Sequence, residues 1–174
     1  NFLVFGGLEQ VVAALDTLSF SARQVDYIRG LRPFASLPDS FFRTLRDLGA
    51  EVRKGLAAAH TPRARAAAII DASFSGACFS PDTVSAWMTL YAQAQTNPQM
   101  LRLLQIYQRR LHSNLVHDLR PLIGAHAPGA AQRIAGLIDG LYLRQALARI
   151  TAGQTDATGH VLSLLRAELK SRAQ

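Results

Sequence analysis

FSPDTVSAWMTLYAQAQTNPQMLRLLQIYQRRLHSNLVHDLRPLI, residues Phe79 to Ile123, decides the fold. Within it a polar residue meets a proline twice, at Ser80-Pro81 and Asn97-Pro98. Each pair offers a side-chain oxygen as N-cap and a proline at the first helical position, where a missing N–H leaves no bond unmade. After the first start, Val84, Trp87, Met88 and Tyr91 recur three and four apart, the inward stripe of a helix. After the second, Leu101, Leu104, Tyr107, Leu111, Leu115 and Leu119 mark the longest helix, which is predicted to end near Pro121.

The same grammar extends in both directions. Upstream, Thr61-Pro62 repeats the start device, and Asp39 and Ser40 precede a helix through Phe41, Leu45, Leu48, Val52 and Leu56 that Gly49 and Gly55 weaken. Earlier still, one helix follows Gly6 and Gly7 with Leu8, Val11, Val12, Leu15 and Leu18. Another runs from Ser21, with Gln24 completing a capping box, to Gly30. Downstream, a helix opens near Pro128, and a final one spans Asp156 to about Lys170 with Val161, Leu164, Leu165 and Leu169 on one side. About eight helices and no strand pattern make the fold all-α.

Composition agrees with one packed core. The 174 residues are 49% hydrophobic and 18% charged, with mean hydropathy +0.09, and a chain of this length buries enough surface to need no staples. No run of about 18 uncharged apolar residues exists, so no membrane span or signal peptide is expected. Cys78 stands alone, which excludes an intrachain disulfide or a cysteine zinc site and suits a reducing cytoplasm. Net charge is +7, unevenly spread: residues 1–42 hold three Arg against four acids, and residues 43–174 hold sixteen basic residues against eight acidic ones. Such charge fits either a nucleic-acid partner or a solvated surface.

Catalytic signatures are absent. Neither GxGxxG nor GxxxxGK[ST] occurs, so no phosphate-cradling loop, cofactor or nucleotide is expected. His112 and His117 are five apart and point about 140° away from each other on a helix, which does not make a metal pair. Ser113, His112 and Asp118 lack the turn that exposes a nucleophile. The chemistry that remains belongs to binding. Asp139 sits in LIDGLYL, flanked by apolar residues, and reads as either a buried hydrogen-bond acceptor or an effector ligand. Phe74, Trp87, Tyr91, Tyr107 and Tyr142 fall on inward positions, as core filling or as a cage for a cation. Small residues Ala131, Ala135 and Gly136 beside Ile134, Leu137, Ile138 and Leu141 permit close helix approach, at a dimer face or in a core.

Three stretches together resemble one family: TPRARAAAIIDASF (Thr61–Phe74), the Phe79–Ile123 stretch, and AGLIDGLYLRQAL (Ala135–Leu147). They are similar to the C-terminal domain of BetI-type TetR repressors, in which a Trp follows an S-P start, an RRLHSNL-like element lies in the long helix and a LIDGLWLR-like element comes near the end. Here these are Trp87, Arg109 to Leu115 and Leu137 to Arg144, with Tyr142 in place of the usual Trp. The resemblance implies a homodimer joined through its last long helices, with Leu111, Leu115, Ala135, Leu137, Ile138 and Leu141 as candidate interface residues. It implies a small cationic effector such as choline or betaine aldehyde, held by Phe74, Trp87, Tyr91, Tyr107, Tyr142 and Asp139, and control of genes for converting choline to glycine betaine.

The family's N-terminal helix-turn-helix, its route to operator DNA, is not recognisable before Arg43. Residues 1–48 instead resemble an N-terminal piece of nicotinate phosphoribosyltransferase, through NFLVFGGLEQVVAALDTLSFSARQVDYIRGL and FFRTLRDL. That enzyme's catalytic His and phosphate loops lie in a barrel whose sequence does not follow. The expected organisation is therefore an enzyme-like helical segment at 1–48 and a TetR-type C-terminal domain at 49–174. A fragment of that enzyme and a helical interaction module without ligand are the alternative functions.

Overall fold

The computed structural model describes residues 39–76, 78–148 and 156–171. Six α-helices occupy them: α1 (Asp39–Ala58), α2 (Pro62–Ser73), α3 (Pro81–Ala94), α4 (Pro98–Ile123), α5 (Ala127–Leu147) and α6 (Ala157–Lys170), with a 3-10 turn at Gly124–His126 between α4 and α5. No strand occurs among the described residues. The helices expected after Gly7 and from Ser21, and the enzyme-like segment up to residue 38, lie outside the described residues. The boundary expected at 48/49 falls inside one unbroken helix, α1.

The proline starts form as their chemistry dictates. Thr61 Oγ1 accepts from the Ala64 amide (3.2 Å), and Ser80 Oγ accepts from Thr83 (3.3 Å). Asn97 Oδ1 accepts from both Gln99 (3.0 Å) and Met100 (3.3 Å). Asp156 caps α6 by accepting from Gly159 at 2.8 Å. The long helix ends near Pro121 as expected, with the stop itself at Gly124: α4 runs through Pro121 to Ile123, and the φ of 54° at Gly124 lies in the left-handed region. A proline in the last turn forfeits one hydrogen bond, whereas a left-handed residue turns the chain out of the helix.

The long α4 is the centre of the bundle, packed by α2, α3 and α5, while α6 covers α5 and α2 and α1 lies on α2 and α3. Its buried residues Leu103, Leu111, Leu115 and Leu119 meet Ile70 of α2, Leu90 of α3 and Ile134 and Ile138 of α5 in one core. Each such side chain contributes roughly 1.5–3 kcal/mol relative to exposure. Gly55 lies where α1 crosses α2, and a Cβ there would stand 3.1 Å from the Ala68 Cβ, closer than ordinary van der Waals contact.

Two carboxylates are more buried than Asp139: Asp118 on α4 is 3% exposed and Glu168 on α6 is 8% exposed, and neither was singled out in the sequence as an interior acid. Both have found arginines on other helices: Arg65 Nε donates to Asp118 Oδ1 at 2.9 Å, and Arg133 forks onto Glu168 at 2.5 and 2.7 Å. His117 Nδ1 also reaches Asp118 Oδ1, at 2.9 Å, and because that oxygen only accepts, the imidazole nitrogen donates.

Candidate effector site

Three helices converge on Asp139. α3 presents Trp87 and Tyr91, four apart and so on one face; α4 presents Tyr107; α5 presents the carboxylate. The Trp87 ring lies 4.6 Å from Tyr107 and 6.3 Å from Tyr91, centroid to centroid, both tilted. The Tyr91 hydroxyl donates to Asp139 Oδ1 at 3.2 Å, the one hydrogen bond this carboxylate makes among the described residues.

Electrostatics follow from burial. Asp139 is half-buried, and loss of solvent raises its pKa above the ordinary carboxylate range, with the Tyr91 hydrogen bond pulling weakly the other way. Tyr91 and Tyr107 are driven up, first by burial and then by the negative charge of Asp139, so both phenols stay protonated.

Phe74 and Tyr142, the other two aromatic candidates, belong to an adjoining group completed by Phe79. Their ring centroids lie 5.0 to 5.8 Å apart. The Tyr142 hydroxyl is anchored on the Ser73 and Cys78 carbonyls, the latter at 2.8 Å. Burial raises its pKa first, and the negative charge of Asp139 adds to the shift. Phe79 was not among the sequence candidates.

On its other side, Asp139 borders a groove of about 290 Å³ between α4 and α5, where Gln108, Arg109, His112, Gln132 and Gly136 also line the walls. Helical spacing makes this a matched pair of stripes, 108/109/112 against 132/136/139. The ring faces supply a negative quadrupole and Asp139 a formal charge, an arrangement whose chemistry favours a small organic cation.

The six candidate interface residues divide. Leu111, Leu115, Ile138 and Leu141 are 0–8% exposed and lie inside the core of a single chain, so they cannot form the bulk of a surface between two chains. Ala135 and Leu137 are partly exposed. The outward face of α5 is instead Gly136, Gly140, Leu143 and Leu147, with the leucines 48% and 71% exposed and open space above both glycines. Ser113, His112 and Asp118 each have other partners: Ser113 donates to the Arg110 carbonyl, His112 Nε2 faces the Pro128 carbonyl and Asp118 is held by Arg65. Among the described residues no three His, Cys, Asp or Glu side chains gather to hold a metal ion, and no helix is long and apolar enough to cross a membrane.

The fold is that of an all-α transcriptional-regulator domain. A solved transcriptional regulator from Pseudomonas aeruginosa PAO1 superposes with a TM-score of 0.60 at 20% identity, over 94% of this chain and 88% of that one. Residues 62–170 match the family model described as BetI-type transcriptional repressor, C-terminal, and the chain belongs to that family. The HTH-type transcriptional regulator BetI of Brucella canis is 47% identical over 104 residues, covering 59% of this chain and 52% of the relative. Its counterpart in Rhizobium meliloti is 38% identical over 149 residues, covering 79% and 73%. The chain thus spans about half the length of the Brucella canis relative. The family is one of transcriptional regulators, not enzymes.

Proposed function

We propose that this chain is the effector-sensing and dimerisation part of a BetI-type repressor of choline-to-glycine-betaine genes, that a small cation such as choline or betaine aldehyde binds at Asp139, and that two copies associate through the outward face of α5 with α6. The sensing body takes in α1, since residues 39–48 continue the helix that packs on α2. Operator DNA is contacted outside α1–α6, through a helix-turn-helix such as the relatives' names record, and the protein works in the cytoplasm. The observation that carries the reading is Asp139 itself. A partly desolvated carboxylate with one neutral hydrogen-bond donor is costly to keep ionised, and an arriving cation supplies the missing charge. Each desolvated ring contact adds about 0.5–2 kcal/mol.

Titration calorimetry with choline and betaine aldehyde tests it. Binding is expected, with loss of most of it in Asp139→Asn; no heat and no thermal stabilisation by either compound would remove the effector. Sedimentation tests association: a strict monomer at tens of micromolar would remove the dimer. A second reading, closed core packing without ligand, is favoured by the Trp87–Tyr107 contact at 4.6 Å, which leaves no room for a cation between those two faces. The same calorimetry decides between the two.

A further inference from the structure

We propose that the groove beside Asp139 is shaped for a small zwitterion, a quaternary ammonium compound that carries its own anionic group, with the ammonium at Asp139 and the anion at Arg109. The proposal rests on the reading of Asp139 as a cation site. Its own evidence is the opposite wall. Arg109 lines the same groove as Asp139, is exposed and makes no hydrogen bond or ion pair among the described residues. Gln108 and Gln132 beside it are likewise without partners there.

Arginine is charged at every accessible pH and presents a planar fork of donors matched to a carboxylate, sulfate or phosphate. Beside a simple cation its field is repulsive, and beside an anionic tail the same field attracts. His112 also lines this groove. His112 Nε2 stands 3.2 Å from the Pro128 carbonyl, and since a carbonyl cannot donate, Nε2 carries the proton and the ring is held against the groove wall. The two carboxamides can turn N–H groups toward oxygens. At about 290 Å³ the groove is at the small end for ligand sites, which suits a molecule of few heavy atoms with charges at its two ends.

Calorimetry on the whole chain with three probes tests the assignment: choline, glycine betaine (a carboxylate) and choline phosphate (a phosphate ester). At least one zwitterion is expected to bind about tenfold tighter than choline, the yield of one charge-assisted contact; which one identifies the anion. Arg109→Gln, an exposed position that leaves the core untouched, should erase that advantage and leave choline bound as before or more tightly. Asp139→Asn should weaken all three. Choline binding as tightly as both zwitterions, or an Arg109→Gln variant that keeps the zwitterion preference, would overturn the proposal and leave Asp139 as a plain cation site. Silence from all three probes would overturn the Asp139 reading along with it.

Discussion

Asp118 and Asp139 are both acids on packed helices, and they have opposite surroundings. Asp118 is almost wholly buried and is met by a guanidinium and an imidazole on one oxygen. Asp139 is less buried, yet its one hydrogen bond among the described residues comes from a neutral phenol, and burial raises its pKa. Depth of burial is therefore a poor guide to function. A buried charge whose partners are supplied by the fold is part of the scaffold, whereas a charge left short of a partner is a candidate binding site.

The largest expected effect lies on the scaffold side. Arg65→Ala removes the donor from α2 and leaves Asp118 ionised inside the bundle with His117 alone. Orphaning a buried charge costs about 3–5 kcal/mol; the Arg65 side chain is 36% exposed, so solvent already screens part of the pair and the expected loss falls to about 2–3 kcal/mol. In a chain of this size that lowers Tm by roughly 5–10 °C. Choline affinity should be unchanged. A loss below about 1 kcal/mol in denaturant unfolding would show that Asp118 does not depend on its arginine, and the contrast between the two acids would collapse.

How far this contrast could be read in advance depends on the distance over which each signal acts. The caps at Thr61, Ser80 and Asn97 were legible because donor and acceptor lie two or three residues apart. So were the inward positions of Trp87, Tyr91 and Tyr107, because helical periodicity assigns a face. Periodicity does not say what lies beyond the face. Leu115 and Leu143 are both apolar residues of long helices, but one is fully enclosed and the other half exposed, and the interface candidates were drawn to the enclosed kind. Arg65 and Asp118 are 53 positions apart, so the pairing that makes Asp118 structural had no local trace. Gly55, read as a weakness of α1, also lies at the close approach of α1 to Ala68, a packing relation that helix propensity does not report.

A smaller effect tests the donor at the second acid. Tyr91→Phe keeps the ring against Trp87 and deletes the hydroxyl on Asp139. The loss should be about 0.5–1.5 kcal/mol, the net worth of one hydrogen bond. With the hydroxyl gone, the last interaction that favours the ionised form disappears, and the Asp139 carboxyl should titrate at still higher pH. NMR titration of the carboxyl carbon reads this directly. An unchanged midpoint would mean that Tyr91 does not set the charge state of Asp139.

The smallest change in stability, and the sharpest in sign, belongs to Asp139→Asn. The folded-state pKa of Asp139 lies above its unfolded value of about 3.9, so the native state holds the proton more tightly than the unfolded chain. Below the unfolded pKa both states are protonated and the residue has no influence. As pH rises through the raised folded pKa, the wild-type chain must ionise a partly desolvated group and loses stability. Asn has the same shape, remains neutral and still accepts from Tyr91. The variant should match the wild type near pH 4 and exceed it by no more than about 1 kcal/mol at pH 8, the scale of an ordinary point substitution. Cation binding runs the opposite way, because it needs the carboxylate: affinity for choline should fall as pH drops through the same pKa. Unfolding curves and choline titrations across pH 4 to 8 therefore cross, with stability declining where affinity grows. Parallel stability profiles for the two proteins would show that Asp139 is not the titrating group, and choline affinity independent of pH would detach the ligand from it.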